Sequence, residues 1–314
     1  LDEYIAKSDV LKAEDFIDTL VDAFTYEGKI YGIPKDFNTL ALFYNKDLFD
    51  LAGVEYPSND DTWDSLYEKL EKVAAIDPSI YGLALQPEYA RFGALAHAAG
   101  FVPIGPDGKT NLSDPAFIEA FKWYTGMAET GVGVMPADIS QGWGGGALAS
   151  EQVAAALEGA WMIGVFKSDA PNMQYGATLL PKNPRTGQRG NLTFTVAWGM
   201  NAASANKEAA FKVLEILTSE EVQQWVLERG LAIPSRKALA DNPYFLQDSA
   251  EAQANRIVFL GASDGNVLPY RFGQYGGEWM DPINQALSAV MSKQATVEEA
   301  LAEAQAQLDA LMGR

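Results

Sequence analysis

Leu40-Ala41-Leu42-Phe43-Tyr44 is an unbroken apolar run of strand length. A strand like this has no face left for water, so it belongs inside a sheet covered on both sides, the usual setting of parallel strands. Amphipathic segments alternate with such runs along the chain. Asp9 to Phe24 places Phe16, Ile17, Leu20, Val21 and Phe24 at helical spacing and predicts one helix. Lys29 to Pro34 reads as extended after the Glu27-Gly28 turn. Thr62 is a helix cap followed by Trp63, Leu66, Leu70 and Val73. Tyr81 to Leu85, Tyr175 to Leu180 and Thr193 to Met200 are rich in strand formers. Asp114-Pro115 opens another helix, with Pro at its first position. Lys207 to Thr218 and Ser219 to Arg229 follow as helices, the second stopped by Gly230. Thr296 and Glu299 form a capping box before the last helix. Leu260 to Glu278 mixes Gly, Pro and aromatics and reads as an irregular loop. The fold class is α/β, with mostly parallel sheets flanked by helices.

Composition excludes whole classes of function. Lys plus Arg number 23 against 42 Asp plus Glu, a net charge of −19. A field of that sign repels phosphate backbones and anionic lipid heads, so no nucleic-acid partner is expected. The chain has no Cys and a single His, His97. Disulfides, thiolate nucleophiles and multi-His zinc sites are excluded. No run approaches the roughly 18 apolar residues of a membrane helix. The longest, Ala160 to Phe166, has the length of a strand.

Apparent catalytic motifs lack their context. Gly261-Ala262-Ser263-Asp264-Gly265 matches G-x-S-x-G, yet His97 precedes Ser263, whereas that chemistry needs Asp and then His after it. A serine hydrolase acting through Ser263 is a distant alternative. Gly142 to Ala147 fits a loose dinucleotide pattern without the preceding strand, and Gly108-Lys109-Thr110 ends like a P-loop but reads as a hairpin turn. His97 lies among alanines and reads as a helix residue with its ring hydrogen-bonded. Asp60, Asp61 and Asp64 read as a solvated turn and first helical turn.

One stretch is more informative. Gly28-Lys29-Ile30-Tyr31-Gly32-Ile33-Pro34 leads through the apolar run to Tyr44-Asn45-Lys46-Asp47 and Thr62-Trp63. Further along come Gly159-Ala160-Trp161, Tyr175-Gly176 to Leu180-Pro181, Asn206 to Ala210, Pro234-Ser235-Arg236 and Thr296 to Ala300. In this order, the set resembles the extracellular solute-binding proteins of ABC transporters, of the maltose-binding type. The resemblance implies a two-lobed, periplasmic-binding-protein-like fold of type II, with ligand in the cleft and hinge closure around it. Lobe one would hold 1–38 and 197–234, and lobe two 39–196 and 235–314. Crossings are expected near Asp36 to Leu40, Val196 to Met200 and Ile233 to Ser235. Leu1 to Ile5 resembles a segment that follows the first strand–helix–strand units of the family, so lobe one is expected to be incomplete and the chain a fragment. The implied partners are a small-molecule ligand, carbohydrate in kind, and a membrane permease. The implied location is periplasmic or extracellular, with a lipid anchor on a removed or missing N-terminus in many relatives. No cofactor and no enzymatic activity are implied.

A sugar offers an apolar C–H face and a hydroxyl rim, which suit aromatic rings and carboxylates or amides. Trp161 matches a position that stacks on sugar in the family, the alternative being a core Trp. Glu88 and Tyr89 resemble an acid–Tyr pair of the cleft, or form an exposed loop pair. Trp279 and Tyr275, in an aromatic stretch with Tyr270 and Phe272, line the ligand or anchor a loop. Asn38 at the first crossing binds a hydroxyl or shapes a turn. Trp143 sits on a Gly-rich loop that lets a ring approach a ligand. Arg91 and Arg271 either select an anion, as in a sugar phosphate, or pair locally. A charged solute such as a sugar phosphate or a polyamine is the second reading.

Overall fold

A computed structural model of the chain describes residues 1–229, 232–270 and 275–313. Its strands are β1 (Thr25–Tyr26), β2 (Lys29–Ile30), β3 (Ile33–Asn38), β4 (Ala41–Asn45), β5 (Tyr81–Ala84), β6 (Gly133–Val134), β7 (Val153–Glu158), β8 (Tyr175–Thr178), β9 (Gly190–Trp198), β10 (Ile233–Pro234) and β11 (Asn266–Pro269). β1 and β2 close a hairpin over Glu27 and Gly28, both at positive φ, as a two-residue turn of the primed type requires. The remaining strands form two sheets, a five-stranded one in the order β6-β5-β7-β4-β8 and a four-stranded one in the order β10-β3-β9-β11.

β4 is buried along its whole length. Leu42 and Tyr44 face a core that contains Trp63, Phe92, Phe117 and Tyr124, while Ala41 and Phe43 face a second core with Phe166 and Val258. The two-residue alternation of a strand thus feeds two apolar layers. Its direction departs from expectation. β4 runs antiparallel to both β7 and β8, and β3 antiparallel to β9 and β10. Among the described strands, parallel pairing is confined to β5 with β6, β5 with β7, and β9 with β11, besides an isolated parallel bridge of Thr62 with Lys182. The sheets are therefore mixed rather than mostly parallel. Burial on both faces reports the layers above and below a strand and is silent on the direction of its neighbours.

Three helix caps take the form their residues predict: Thr62 and Ser65 make a reciprocal capping box, as do Thr296 and Glu299, and Asp114 accepts from the Ala116 N–H. Ser219, read as the first helical residue, is itself a cap and accepts from the Val222 N–H. Gly230, expected to stop the helix at 220–228, lies outside the described residues. Other expectations change. Residues 9–24 form a short 3-10 turn at Ala13–Asp15 and a helix only from Asp18 to Ala23. The Ser8 hydroxyl takes the Val10 and Leu11 N–H groups, and Phe16 bridges to Arg236 in extended form, which breaks a continuous helix. Ala160 to Phe166 is no strand, because Met162 begins a helix that runs to Asp169. Within the stretch read as irregular, β11 pairs with β9. Asp61 is buried rather than solvated, and both its oxygens lie 2.8 Å from Lys69 Nζ.

The Pro234-Ser235-Arg236 motif ties the smaller sheet to a third, smaller core of Ile5, Leu11, Phe16, Ile33, Phe211 and Leu214. Arg236 Nε donates to the Thr218 carbonyl at 2.6 Å, its Nη1 to Asp15 at 3.2 Å, and its guanidinium lies over Phe16. Ser235 Oγ donates to the Pro34 carbonyl at 2.7 Å.

Only Thr39 and Leu40 separate β3 in one sheet from β4 in the other. Such a step exposes backbone groups that no ladder pairs. Asn191 supplies the pairing from its side chain: Oδ1 accepts from the Leu40 N–H at 2.9 Å, and Nδ2 donates to the Leu40 carbonyl at 2.8 Å. The Asn191 carbonyl is 3.1 Å from His97 Nδ1. A carbonyl only accepts, so Nδ1 carries the proton and Nε2 accepts from the Tyr89 hydroxyl at 2.9 Å.

His97 is fully buried, and burial pushes its pKa down to about 4, against a smaller upward pull from the Asn191 carbonyl. The unfolded chain therefore takes up a proton near pH 6.5 that the folded chain refuses until about pH 4. The native state keeps its full His97 contribution above pH 6.5 and loses about 3 kcal/mol as the pH falls through that window. Urea unfolding from pH 7.5 to 4 should show this loss in the parent and a shallower one in His97→Gln. Parallel pH profiles for the two would contradict the assignment.

Candidate functional site

β7 ends at Glu158 beneath a tight Gly159-Ala160 turn, and Trp161 stands at the start of the next helix. A Cβ on Gly159 would strike the Trp161 ring and lie 2.7 Å from Asn38 Oδ1, so only glycine fits the turn. Asn38 Oδ1 accepts the Ala160 N–H at 2.8 Å, which fixes the turn against the end of β3.

Glu158 is 1% exposed. Its Oε2 accepts from Arg91 Nη2 at 2.8 Å and from Trp161 Nε1 at 2.9 Å. Burial raises the Glu158 pKa; the Arg91 charge and the two donated hydrogen bonds oppose that shift. The Arg91 guanidinium also lies 5.5 Å from the centroid of the Trp161 ring, and Phe194 meets that ring edge-on at 6.0 Å. The indole is thus fixed at its nitrogen and along its side while remaining half-buried.

Trp161 opens onto a cavity of about 640 Å³ that is lined by residues of β3, β9 and β11 in the four-stranded sheet. Phe24, Trp161, Phe194 and Tyr270 supply its rings; Asp36, Asn38, Thr193 and Thr195 supply its polar groups. A second cavity of about 250 Å³ adjoins it, sharing Ala23, Thr193, Thr195 and Pro269 and adding Thr19 and Asp22. A cavity of about 730 Å³ beside the Pro115–Thr130 helix is larger, but its walls include Lys122, Glu129, Lys293 and Glu298 and no aromatic ring. Size alone therefore does not select the site; the pairing of flat apolar faces with hydrogen-bonding groups does. Among the described residues, no group of His, Asp or Glu could hold a metal ion.

A family model for bacterial extracellular solute-binding proteins matches residues 2–255. The chain belongs to that family. It is 28% identical over 308 residues to a Brucella abortus protein named only for binding, with 95% of this chain and 71% of that one covered. It is 26% identical over 324 residues to the galactooligosaccharide-binding protein of Bacillus subtilis, covering 97% and 70%. In structure it is similar to an ABC substrate-binding protein of Listeria monocytogenes in complex with cycloalternan, with a TM-score of 0.89, 24% identity, and 100% of this chain and 79% of that one covered. That likeness shows the two-lobed fold of these solute-binding proteins.

Of the residues singled out from the sequence, Trp161 and Asn38 line the cavity of this solute-binding protein. Glu88 stands beside the network without reaching the cavity wall; it accepts from Gln86 Nε2 at 3.0 Å and lies 3.9 Å from Arg91 Nη1. Tyr89 and Trp279 are corrections, since both are sealed in the core. Tyr89 begins the Tyr89–Ala99 helix and turns inward over Gly93, with its hydroxyl on His97. Trp279 meets Tyr89 edge-on at 4.8 Å and donates its Nε1–H to Thr110 Oγ1 at 2.7 Å. Trp143 lies against Gly145 and Gly146, where any Cβ would crowd its ring, and Tyr275 packs on the first core; neither lines the cavity. Arg271 lies outside the described residues. Ser263 Oγ turns back to the Leu260 carbonyl, and both nitrogens of His97 are engaged elsewhere, so the hydrolase geometry is absent.

Asp36, Thr193, Phe194 and Thr195 went unrecognised, as did the Arg91–Glu158 pairing. Asp36 carried a signal, two residues before Asn38 on one strand, and Glu158 another, three residues before Trp161. The buried pair makes a direct prediction. Glu158→Ala strands Arg91 in a buried setting and should cost about 3–5 kcal/mol in urea unfolding, with Glu158→Gln milder. Equal and negligible losses would show that the carboxylate does not hold the network.

Proposed function

We propose that this chain is the sugar-binding component of an ABC importer. The observation that carries the reading is the Trp161 indole, fixed by Glu158 and Arg91 at the wall of a cavity that the Asp36 carboxylate and the Asn38 amide also line. An indole face suits the C–H face of a pyranose, and the carboxylate and amide suit its hydroxyls. The names of relatives support the same class, among them galactooligosaccharide-, lactose- and maltooligosaccharide-binding proteins.

We take 1–38 with 197–234 as one lobe and 39–196 with 235–314 as the other. β3, β9 and β10, which carry the three expected crossings, lie side by side in one sheet. Ligand touching both lobes favours the closed state by the difference in its contacts between open and closed forms. A permease in the membrane would read the closed form, with the binding protein outside the cytoplasm, free or lipid-anchored. The chain transfers its ligand unchanged in this reading, without catalysis or cofactor.

Thermal unfolding with maltotriose, lactose and galactobiose tests the reading. A sugar that binds only the native state adds about 2.7 kcal/mol at a hundred times its Kd, a shift of several degrees. Trp161→Ala should weaken the responding sugar by about 1–3 kcal/mol, read by titration calorimetry. No shift with any saccharide, or unchanged affinity in Trp161→Ala, would contradict it.

A further inference from the structure

The register of β3 against β9 slips at one point: Pro34 pairs with Ala197 and Asp36 with Val196, so Lys35 has no partner. An extra residue of this kind bends a strand and re-aims its neighbours, and such bulges are common beside functional sites. Here it brings Lys35 Nζ to 2.9 Å from Asp36 Oδ2. Asp36 Oδ1 has no hydrogen-bond partner among the described residues. The Asp36 side chain is 18% exposed and lines the cavity two residues before Asn38 on the same strand. Burial raises its pKa against the pull of Lys35, so the open oxygen stands in a poorly hydrated place.

The rest of the wall has a telling composition. Neither the main cavity nor the adjoining one is lined by a Lys or Arg among the described residues, whereas Asp36 lines the first and Asp22 the second. Arg91, whose guanidinium lies over the Trp161 ring, is held by Glu158.

We infer that Asp36 is a specificity-determining residue, whose open carboxylate oxygen accepts a hydroxyl or ammonium donor and makes the cavity select neutral or amine-bearing saccharides over anionic ones. A hydroxyl donating to a carboxylate forms a charge-assisted hydrogen bond, stronger than one to a neutral acceptor. A phosphate or carboxylate on the sugar would surrender its hydration at this wall and face Asp36, whose Lys35 partner is already engaged, with no Lys or Arg among the described lining residues to receive it. The inference rests on the sugar-binding reading of the same cavity and goes beyond it in the charge class of ligand that Asp36 selects.

Titration calorimetry on the full chain tests it with maltotriose and lactose as neutral probes and glucose 6-phosphate and lactobionate as anionic ones. The parent should bind a neutral probe and take up neither anion. Asp36→Asn should weaken the neutral probe about tenfold and narrow the gap to the anions, since the amide keeps the shape and loses the charge. Asp36→Ser, which removes the carboxylate altogether, should give the same order, so a folding defect of one variant does not decide the result. Neutral binding unchanged within twofold in both variants, or a parent that binds lactobionate as tightly as lactose, would overturn the inference while leaving the sugar-binding reading intact. A parent that binds none of the four would overturn both.

Discussion

A carboxylate that is 1% exposed is the constraint on which the site depends. At the end of β7, Arg91 and the Trp161 indole both donate to the same Glu158 oxygen and oppose the upward shift that burial imposes on its pKa. Each partner is bound to a different element, Arg91 to the Tyr89–Ala99 helix and Trp161 to the helix that follows β7. The charge therefore holds two helices and an aromatic ring in one arrangement before any ligand arrives. A ring fixed in this way offers its face without losing rotamer freedom on binding, and that preorganisation favours affinity.

A second polar network links this site to the step between the sheets. The Tyr89–His97–Asn191 chain runs from the helix that carries Arg91 to β9, whose following residues include Thr193, Phe194 and Thr195 of the cavity wall, and Asn191 closes the backbone of Leu40 where β3 passes to β4. Fully satisfied buried networks of this kind specify one arrangement, because each member left alone would be costly.

Much of the fold was legible from local chemistry. Caps such as Thr62, Asp114 and Thr296 act through hydrogen bonds within a few residues, so their type and spacing state their role. Strand direction was not legible, because β4 is apolar on both faces whichever way its neighbours run. The helix read over residues 9–24 had the right apolar spacing and gave way to contacts over 200 residues apart, notably Phe16 with Arg236. At the site, Trp161 was marked by the glycine that its ring requires. Tyr89 and Trp279 misled because an aromatic residue at the head of a helix has the same sequence appearance whether it faces a cleft or the core. Glu158 escaped notice because its one cue, a place three residues before Trp161, does not reveal burial, and acids abound in a chain of net charge −19.

The central claim is that a saccharide lies against the Trp161 ring. The indole N–H resonances of the protein, with Trp161 assigned through Trp161→Phe, report this directly during titration with maltotriose, lactose and galactobiose. A bound sugar should move the Trp161 signal strongly and saturably while those of the buried Trp63 and Trp279 stay in place. Saturable sugar binding with a stationary Trp161 signal would place the ligand elsewhere and contradict the account.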